Sequence, residues 1–483
     1  MTDAPLDRLH RMQAADLPVH GGRTLAYVYD SGLSDVDRIG REAVAAYAGS
    51  NGLDPTAFPS LLRMENEVVG FAADLLDAPG SAVGTLTSGG TESCLLAVQS
   101  ARDSRPDVAR PRMVVPATVH AAFSKAAHYF GVEAVVVPAG PDFRADPAAM
   151  RAAVDEDPDR TVLVVVSAPS YAHGVVDPVA EVAPMAAERG IRCHVDACIG
   201  GWVLPYASRL GRAVPPWTFA VDGVTSISVD LHKYGYAPKG TSVLLHRTPE
   251  LRRPQYFAHA GWPGYTMLNS TMQSTKSGGP LAGAWAVVQA LGDAGYERLA
   301  RDVFEAVDAI VAGAADIAAL RVVAAPDSTL IALATDERCD AFTVCDEMAA
   351  RGWYVQPQMS HEGRPATIHL SVSAATKAHV PELLAALDAS VAAAVAAGPV
   401  AVDPDVAAFI AALDPDALTD ADFDGLLAAA GLVGPGEGDS EEDGDLALPA
   451  RMAEVNAMLD LATPRMREAL LVAFLDRLQR PAR

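Results

Sequence analysis

The chain reads as an α/β protein, with a large domain on a mostly parallel sheet followed by a smaller C-terminal α/β domain. Three observations predict this. With 483 residues, half of them apolar, it can bury a large core and fill two or three domains. Between residues 113 and 246, six short β-rich apolar runs alternate with helical or loop segments, as a helix-covered parallel sheet requires. After Gly278, a helix rich in Ala, Val and Leu leads into a second region with strand-like runs of its own.

In chain order, the first segment with chemical content is Thr87-Ser-Gly-Gly-Thr-Glu-Ser93, which runs into the helically spaced Cys94 to Ala101. Glycines before a helix let backbone N–H groups converge on an anion at the positive helix end, so Gly89, Gly90, Thr91 and Ser88 suit a phosphate. The same residues suit a plain capped helix, with Thr91 or Ser88 as N-cap. The segment lacks the Lys-Ser/Thr of a nucleotide P-loop. Met113 to Val115 predicts a strand, and the helix Val119 to Ala127 would carry His120 to the sheet edge, as a ring-stacking group or a surface cap. Strands follow at Ala134 to Val137, Thr161 to Ser167, and Ile191 to Asp196, the last ending in an acid ahead of Ala197-Cys-Ile-Gly-Gly201.

Ser226 to Val229 predicts the next strand, and the turn after it presents His232 and Lys233 at the sheet edge, where ligands bind in α/β folds. Lysine is scarce: Lys125, Lys233, Lys239, Lys276 and Lys377 are all there are. An amine at Lys233 suits a Schiff base with an aldehyde cofactor such as pyridoxal 5′-phosphate. That cofactor also needs a carboxylate at its ring nitrogen, a flat group over the ring and a phosphate cup. Asp196, His120 and the glycine segment supply candidates. Ser242 to His246 completes the first strand set. Leu320 to Ala324, Thr329 to Ala334, Trp353 to Gln356 and Thr367 to Val372 form the second.

Six segments in this order carry a family resemblance: Phe58-Pro-Ser-Leu61, Thr87 to Ser93, Val119 to Lys125, Ala168-Pro-Ser-Tyr-Ala-His-Gly174, His194 to Gly201, and Asp230 to Gly240. Over roughly residues 20 to 390 the chain resembles the group II pyridoxal-phosphate decarboxylases, most closely sphingosine-1-phosphate lyases. The resemblance implies a fold-type I PLP-dependent transferase-like large domain with a seven-stranded sheet. It implies that His120 stacks on the ring, Asp196 pairs with its nitrogen, Lys233 forms the imine and His232 contacts the phosphate. Ala197 and Cys198 would also touch the cofactor, and Tyr29, Tyr171 and Lys239 would lie on the substrate side. The implied organisation is 1–60 for site and dimer contacts, 61–290 for cofactor binding, 291–398 for the small domain and 399–483 for an extension. The implied assembly is a homodimer with its sites at the interface.

Two departures bear on specificity. Where related lyases carry a phosphate-binding His just before Phe-Pro, this chain has Asp54 in Asn51-Gly-Leu-Asp-Pro-Thr-Ala-Phe-Pro59. The Asp54 carboxylate would repel a substrate phosphate, and an Asp54–Lys239 pair would neutralise the positive charge that a phosphate needs; alternatively Asp54 only caps the turn at Pro55. In Met272-Gln-Ser-Thr-Lys-Ser-Gly-Gly279, Thr275 and Lys276 stand where the family loop has Gly-Ser-Arg reaching the neighbouring cofactor phosphate; Lys lacks the Arg fork.

The net charge of −24 argues against nucleic-acid binding. From Ala401 to Ala450 there are 13 Asp or Glu and no Lys or Arg, and the Gly-rich run Pro435 to Asp445 reads as a linker. Thr463-Pro464 then starts a helix whose Met466, Leu470, Leu471, Phe474, Leu475 and Leu478 share a face, expected to dock on the enzyme body or a dimer partner in preference to forming a separate partner-binding module. Cys94, Cys193, Cys198, Cys339 and Cys345 show no metal-ligand spacing, so no metal is expected, and free thiols fit a reducing cytoplasm. No signal segment or membrane-spanning run is apparent. The expected function is a pyridoxal-phosphate-dependent lyase, decarboxylating an amino acid or cleaving Cα–Cβ of a β-hydroxylated amine. An aminotransferase is the rival within cofactor chemistry, although Thr367 to Ser373 lacks the carboxylate-binding Arg, with Arg364 nearby. A non-catalytic protein of this fold is the rival of another class.

Overall fold

The computed structural model describes residues 4–429 and 451–479, so the expected linker Pro435 to Asp445 lies outside the described residues. The chain forms two compact units, the first from 1–311, 323–332 and 370–380, the second from 312–322, 333–369 and 381–483. These are not the expected borders at 61, 291 and 399. The N-terminal 60 residues belong to the first unit, and the helix Gly278–Ala315 stays with it as far as Val311. That helix is interrupted at Gly292 (φ 56°, ψ −176°), a conformation cheap only for glycine. The expected border near 290 is thus a bend inside the first unit.

The first unit is built on seven strands: β1 (Val83–Thr87), β2 (Arg112–Pro116), β3 (Glu133–Val137), β4 (Thr161–Ser167), β5 (Arg192–Asp196), β6 (Val224–Val229) and β7 (Ser242–His246), in the order β1-β7-β6-β5-β4-β2-β3. β3, β2, β4, β5 and β6 pair in parallel, while β7 pairs antiparallel with both β6 and β1. The sequence reading finds six of them and misses β1, because Val83-Gly-Thr-Leu-Thr87 offers only two large apolar residues around a glycine. Both faces of the central strands are buried. Val114, Val164 and Val166 point into one core, and Met113, Val115, Leu163 and Val165 into another beneath the helices Gly90–Asp103 and Ala122–Phe130. Register brings Ser167, Asp196 and Ser228 into one row at the carboxyl ends of β4, β5 and β6. The site grows from that row.

A short hairpin of β8 (Phe257–His259) and β9 (Met267–Asn269) follows. A four-stranded sheet then contains β10 (Leu320–Val322), β11 (Leu330–Thr335), β12 (Gln356–Gln358) and β13 (Thr367–Ser371), in the order β10-β11-β13-β12. The expected strand at Trp353 begins only at Gln356: Gly352, at φ 78°, closes a turn, and Trp353 is a buried core plug. Its apolar signal reports burial, not pairing.

The C-terminal extension is more than the single docked helix expected. Helices Pro404–Ala412, Asp420–Ala429, Ala453–Leu461 and Pro464–Leu478 share a core of Ile410, Phe423, Leu426, Leu427, Ala462, Met466 and Leu470. Of the anticipated face, Met466 and Leu470 are buried and Phe474 packs against them, but Leu471, Leu475 and Leu478 are exposed. Asp346 joins this part to the rest of the second unit by accepting the Met452 and Ala453 N–H groups, both at 2.9 Å. One helical stretch among the described residues, Ala374–Ala397, is long and apolar enough by length and composition to cross a membrane, where the sequence reading finds none.

Candidate active site

A cavity of about 330 Å³ opens at the carboxyl end of the parallel strands, lined by residues from five separate segments. One wall is the start of the Gly90–Asp103 helix. Its N-cap is Gly89, with no capping side chain, so neither Thr91 nor Ser88 caps it and the first-turn N–H groups stay available to an anion. Glu92 braces this turn instead, accepting Ser88 N–H at 2.6 Å through one oxygen and Met272 N–H at 2.7 Å through the other. Glycine is required at 90: a Cβ there would stand 2.6 Å from an Asp230 carboxylate oxygen and 2.8 Å from Cys198 Sγ.

Asp196 ends β5 and is buried. Its Oδ1 accepts Cys198 N–H at 3.1 Å and the Ser228 hydroxyl at 3.4 Å, and the residue lines the cavity. Behind it, His194 is fully buried between Ser226 Oγ (2.9 Å) and Ser228 Oγ (3.1 Å). Burial pulls His194 down to about 4, so the imidazole is neutral. With Ser228 donating to Asp196, His194 Nε2–H donates to Ser228 and Nδ1 accepts from Ser226.

Lys233 Nζ lies 2.9 Å from Asp230 Oδ2. Burial is the largest influence and opposes its charge, but the Asp230 carboxylate leads the groups that together outweigh it, and the ammonium is held well above the usual lysine range. His232 Nδ1 accepts Thr241 N–H at 3.2 Å, and Gly89 stands against its Cε1. Across the cavity, His120 Nδ1 accepts Ala122 N–H at 3.1 Å, and its ring meets Tyr171 edge to face at 6.4 Å. Burial pushes the Tyr171 phenol upward, so it keeps its proton.

The structure thus brings Ser88, Gly89, Gly90, Thr91, His120, Tyr171, Asp196, Cys198, His232 and Lys233 to one cavity. Ala197 is fully buried behind it. Tyr29 and Lys239 stand just outside its lining, Lys239 Nζ 5.0 Å above the Tyr29 ring and donating to Tyr27 O at 2.8 Å. Desolvation and the Lys233 charge lower Lys239 to about 8, a shift limited by the solvent contact it retains.

One expectation is corrected. Asp54 does not meet Lys239: its Oδ1 accepts Thr56 N–H at 2.8 Å and the Thr56 hydroxyl at 2.6 Å, so it caps its own exposed turn. Lys276 donates to Leu86 O at 2.7 Å with Glu65 Oε2 at 3.4 Å, while Thr275 is exposed and lies outside this chain's own cavity. The sequence reading also misses three site groups, Asp230, Glu92 and Cys94. Cys94 Sγ, Cys198 Sγ and an Asp196 oxygen lie within 4.8 Å of one another, a convergence that linear spacing hides. The hydrogen bond that Cys198 donates to Cys94, together with burial, holds the Cys198 thiol well above its usual range.

Residues 24–334 match the pyridoxal-dependent decarboxylase conserved domain, and residues 404–477 match a domain described as a C-terminal putative HTH domain of pyridoxal-dependent enzymes. A sphingosine-1-phosphate lyase of Arabidopsis thaliana is 40% identical over 70% of this chain and 62% of its own length. The chain therefore spans about three fifths of the curated relatives it matches. The structure of a sphingosine-1-phosphate lyase from Burkholderia pseudomallei K96243 superposes with a TM-score of 0.76 at 34% identity, covering 81% of this chain and 90% of that one. A Lactobacillus brevis glutamate decarboxylase superposes with a TM-score of 0.71 at 19% identity over 82% and 93% of the two chains, a likeness of fold.

Proposed function

Because the chain belongs to the pyridoxal-dependent decarboxylase family, we propose that it is a pyridoxal-phosphate-dependent carbon–carbon lyase with Lys233 as the attachment point for the cofactor's aldehyde. One observation carries the reading: Lys233, Asp196 and an uncapped glycine turn face a single cavity. The donor set fits the cofactor, with N–H groups for a phosphate, the Asp196 carboxylate for a ring nitrogen, and an amine for the aldehyde. When bound, the cofactor supplies an electron sink for a bond broken at the substrate's amine-bearing carbon.

The chain's own residues do the rest. The glycine turn and His232 hold the anionic end. Asp196, fixed by Cys198 N–H and the Ser228 hydroxyl, would keep a proton on the ring nitrogen. His120 and Tyr171 form the opposite wall, and the Tyr171 phenol, which keeps its proton, can donate a hydrogen bond to an oxygen of the substrate. Lys239, lowered to about 8, can release or regain a proton at Nζ near neutrality.

The relatives at 34 and 40% identity are named as lyases of a phosphorylated long-chain base, which favours retro-aldol cleavage of a β-hydroxylated amine over decarboxylation. With Asp54 turned into its own loop, nothing in that segment opposes a phosphorylated substrate. A homodimer in a reducing cytoplasm completes the proposal; five unpaired buried thiols support the setting. The test has two parts. Borohydride reduction followed by peptide mapping is expected to place the cofactor on Lys233, and a label on another lysine refutes the site. Incubation with β-hydroxy amines is expected to release an aldehyde, whereas carbon dioxide from amino acids alone refutes the reaction.

A further inference from the structure

Three carboxylates line the cavity: Asp196, Glu92, whose two oxygens accept backbone N–H groups, and Asp230, which has no task in the proposed reaction. Asp230 follows β6 directly and is 1% exposed. Its Oδ2 lies 2.9 Å from Lys233 Nζ and 3.7 Å from His232 Nε2, and its Oδ1 is buried with no donor in hydrogen-bond geometry among the described residues. Gly90 presses on it so closely that a Cβ would reach both oxygens, at 2.6 and 2.8 Å. The carboxylate is therefore clamped at the joint between anion turn and lysine, with one oxygen committed to the ammonium.

We propose that Asp230 sets the protonation state of Lys233, holding the unloaded side chain as an ammonium and so fixing the pH at which it can take up the cofactor's aldehyde. The proposal rests on Lys233 being the attachment point. Only the unprotonated amine attacks a carbonyl carbon. The ammonium first gives one proton to solvent through the cavity, the nitrogen then bonds to the carbon, and the carbonyl oxygen leaves as water with the two remaining amine protons. A carboxylate in contact with the ammonium opposes the first step.

Other groups face the lysine without replacing Asp230. His232, from the same turn, is lowered by burial and so tends to stay neutral. Tyr29 and the thiols of Cys94 and Cys198 are raised by their surroundings and keep their protons. Asp196 and His120 stand elsewhere on the cavity wall, and Tyr171 is protonated. The Lys239 charge acts in the opposite sense, favouring loss of the Lys233 proton.

The first experiment uses the wild-type protein stripped of cofactor: competitive labelling with acetic anhydride across pH, read by mass spectrometry at each lysine. Lys239 is expected to reach half-labelling near pH 8, and Lys233 about one unit higher or more. Half-labelling of Lys233 at or below the pH for Lys239 overturns the proposal. The second mixes stripped protein with pyridoxal 5′-phosphate and follows the chromophore. Asp230→Asn is expected to shift the midpoint of the rate profile to lower pH by about one unit or more, with roughly tenfold faster uptake below the wild-type midpoint. Asp230→Glu should restore the wild-type midpoint. Coincident profiles for wild type and Asp230→Asn overturn the proposal, as does a change in cofactor affinity with no shift in midpoint. If Asp230→Asn does not fold, the wild-type labelling order decides alone. Chromophore formation in Lys233→Ala would sink the attachment assignment instead, and leaves the labelling order as a separate result.

Discussion

Asp54 and Asp230 show what single residues reveal in a sequence. Asp54 occupies a family position and attracts a substrate role, yet its carboxylate is satisfied two residues away by Thr56. Asp54→His is accordingly expected to leave kcat/KM for both phosphorylated and unphosphorylated amines within about twofold; a larger change for the phosphorylated substrate shows that the loop reaches the pocket. Lys233, Asp196, His120 and the glycine turn are legible because each combines an unusual residue type with a strand or helix end. Asp230 sits in the same motif and carries no such mark. Its importance lies in a 2.9 Å contact that only the turn creates. For Asp196→Asn we expect near-normal cofactor binding with turnover reduced by about three orders of magnitude, since an amide cannot hold the ring-nitrogen proton by charge. Near-normal turnover in that variant refutes the role.

Among the elements, the buried parallel strands are the most legible because Val- and Leu-rich runs have no other use at that length. β1 escapes notice because Gly84 and two threonines dilute its pattern, and Trp353 misleads because burial alone mimics a strand. The helix starting at Gly90 is recognised, but not how its end is held. Glu92 accepts N–H groups from Ser88 and Met272, tying the anion turn to the loop of residues 271–277. Glu92→Gln keeps the shape and removes the charge, and charge-assisted bonds of this kind contribute about 1.5–3 kcal/mol each. We expect weaker cofactor binding by roughly tenfold or more, with faster proteolysis within 271–277. Limited proteolysis and a cofactor titration check both; an unchanged cleavage pattern shows that the loop is held by other contacts.

For the whole molecule, buried titratable groups set the acid limb of stability. Burial lowers His194 to about 4 and His246 to about 3, so each binds a proton in the unfolded chain but not in the fold between pH 4 and 6.5. Their stabilising effect is complete above pH 6.5 and lost as pH falls through that window. Asp177 acts with opposite sign: burial raises it to about 6, so the fold binds a proton there that the unfolded chain releases above about 4. Near pH 5 the balance is about two protons against one. Stability should therefore rise with pH by roughly 1.4 kcal/mol per unit, and urea midpoints at pH 4.5, 5.5 and 7 measure it; a flat profile contradicts the burial of the two histidines. The proposed dimer is testable at the same scale. Mixing Lys233→Ala protomers with Thr275→Ala protomers should recover about half a wild-type dimer's activity if Thr275 serves the partner's site. Heterodimers without recovery count against a shared site.

The placement of β7 between β6 and β1 has a consequence for how the molecule comes into being. β1 is an edge strand whose only neighbour in the sheet is β7, and Thr87 meets Ser242 across a separation of 155 residues. A ribosome emits the anion turn at Gly89 and Gly90 early, attached to a strand that has nothing yet to pair with. Only after His246 has emerged can that strand be seated, so the cofactor pocket closes late in biosynthesis however soon its first glycines appear. Until then the exposed edge is the part of the nascent chain most in need of shielding from its neighbours.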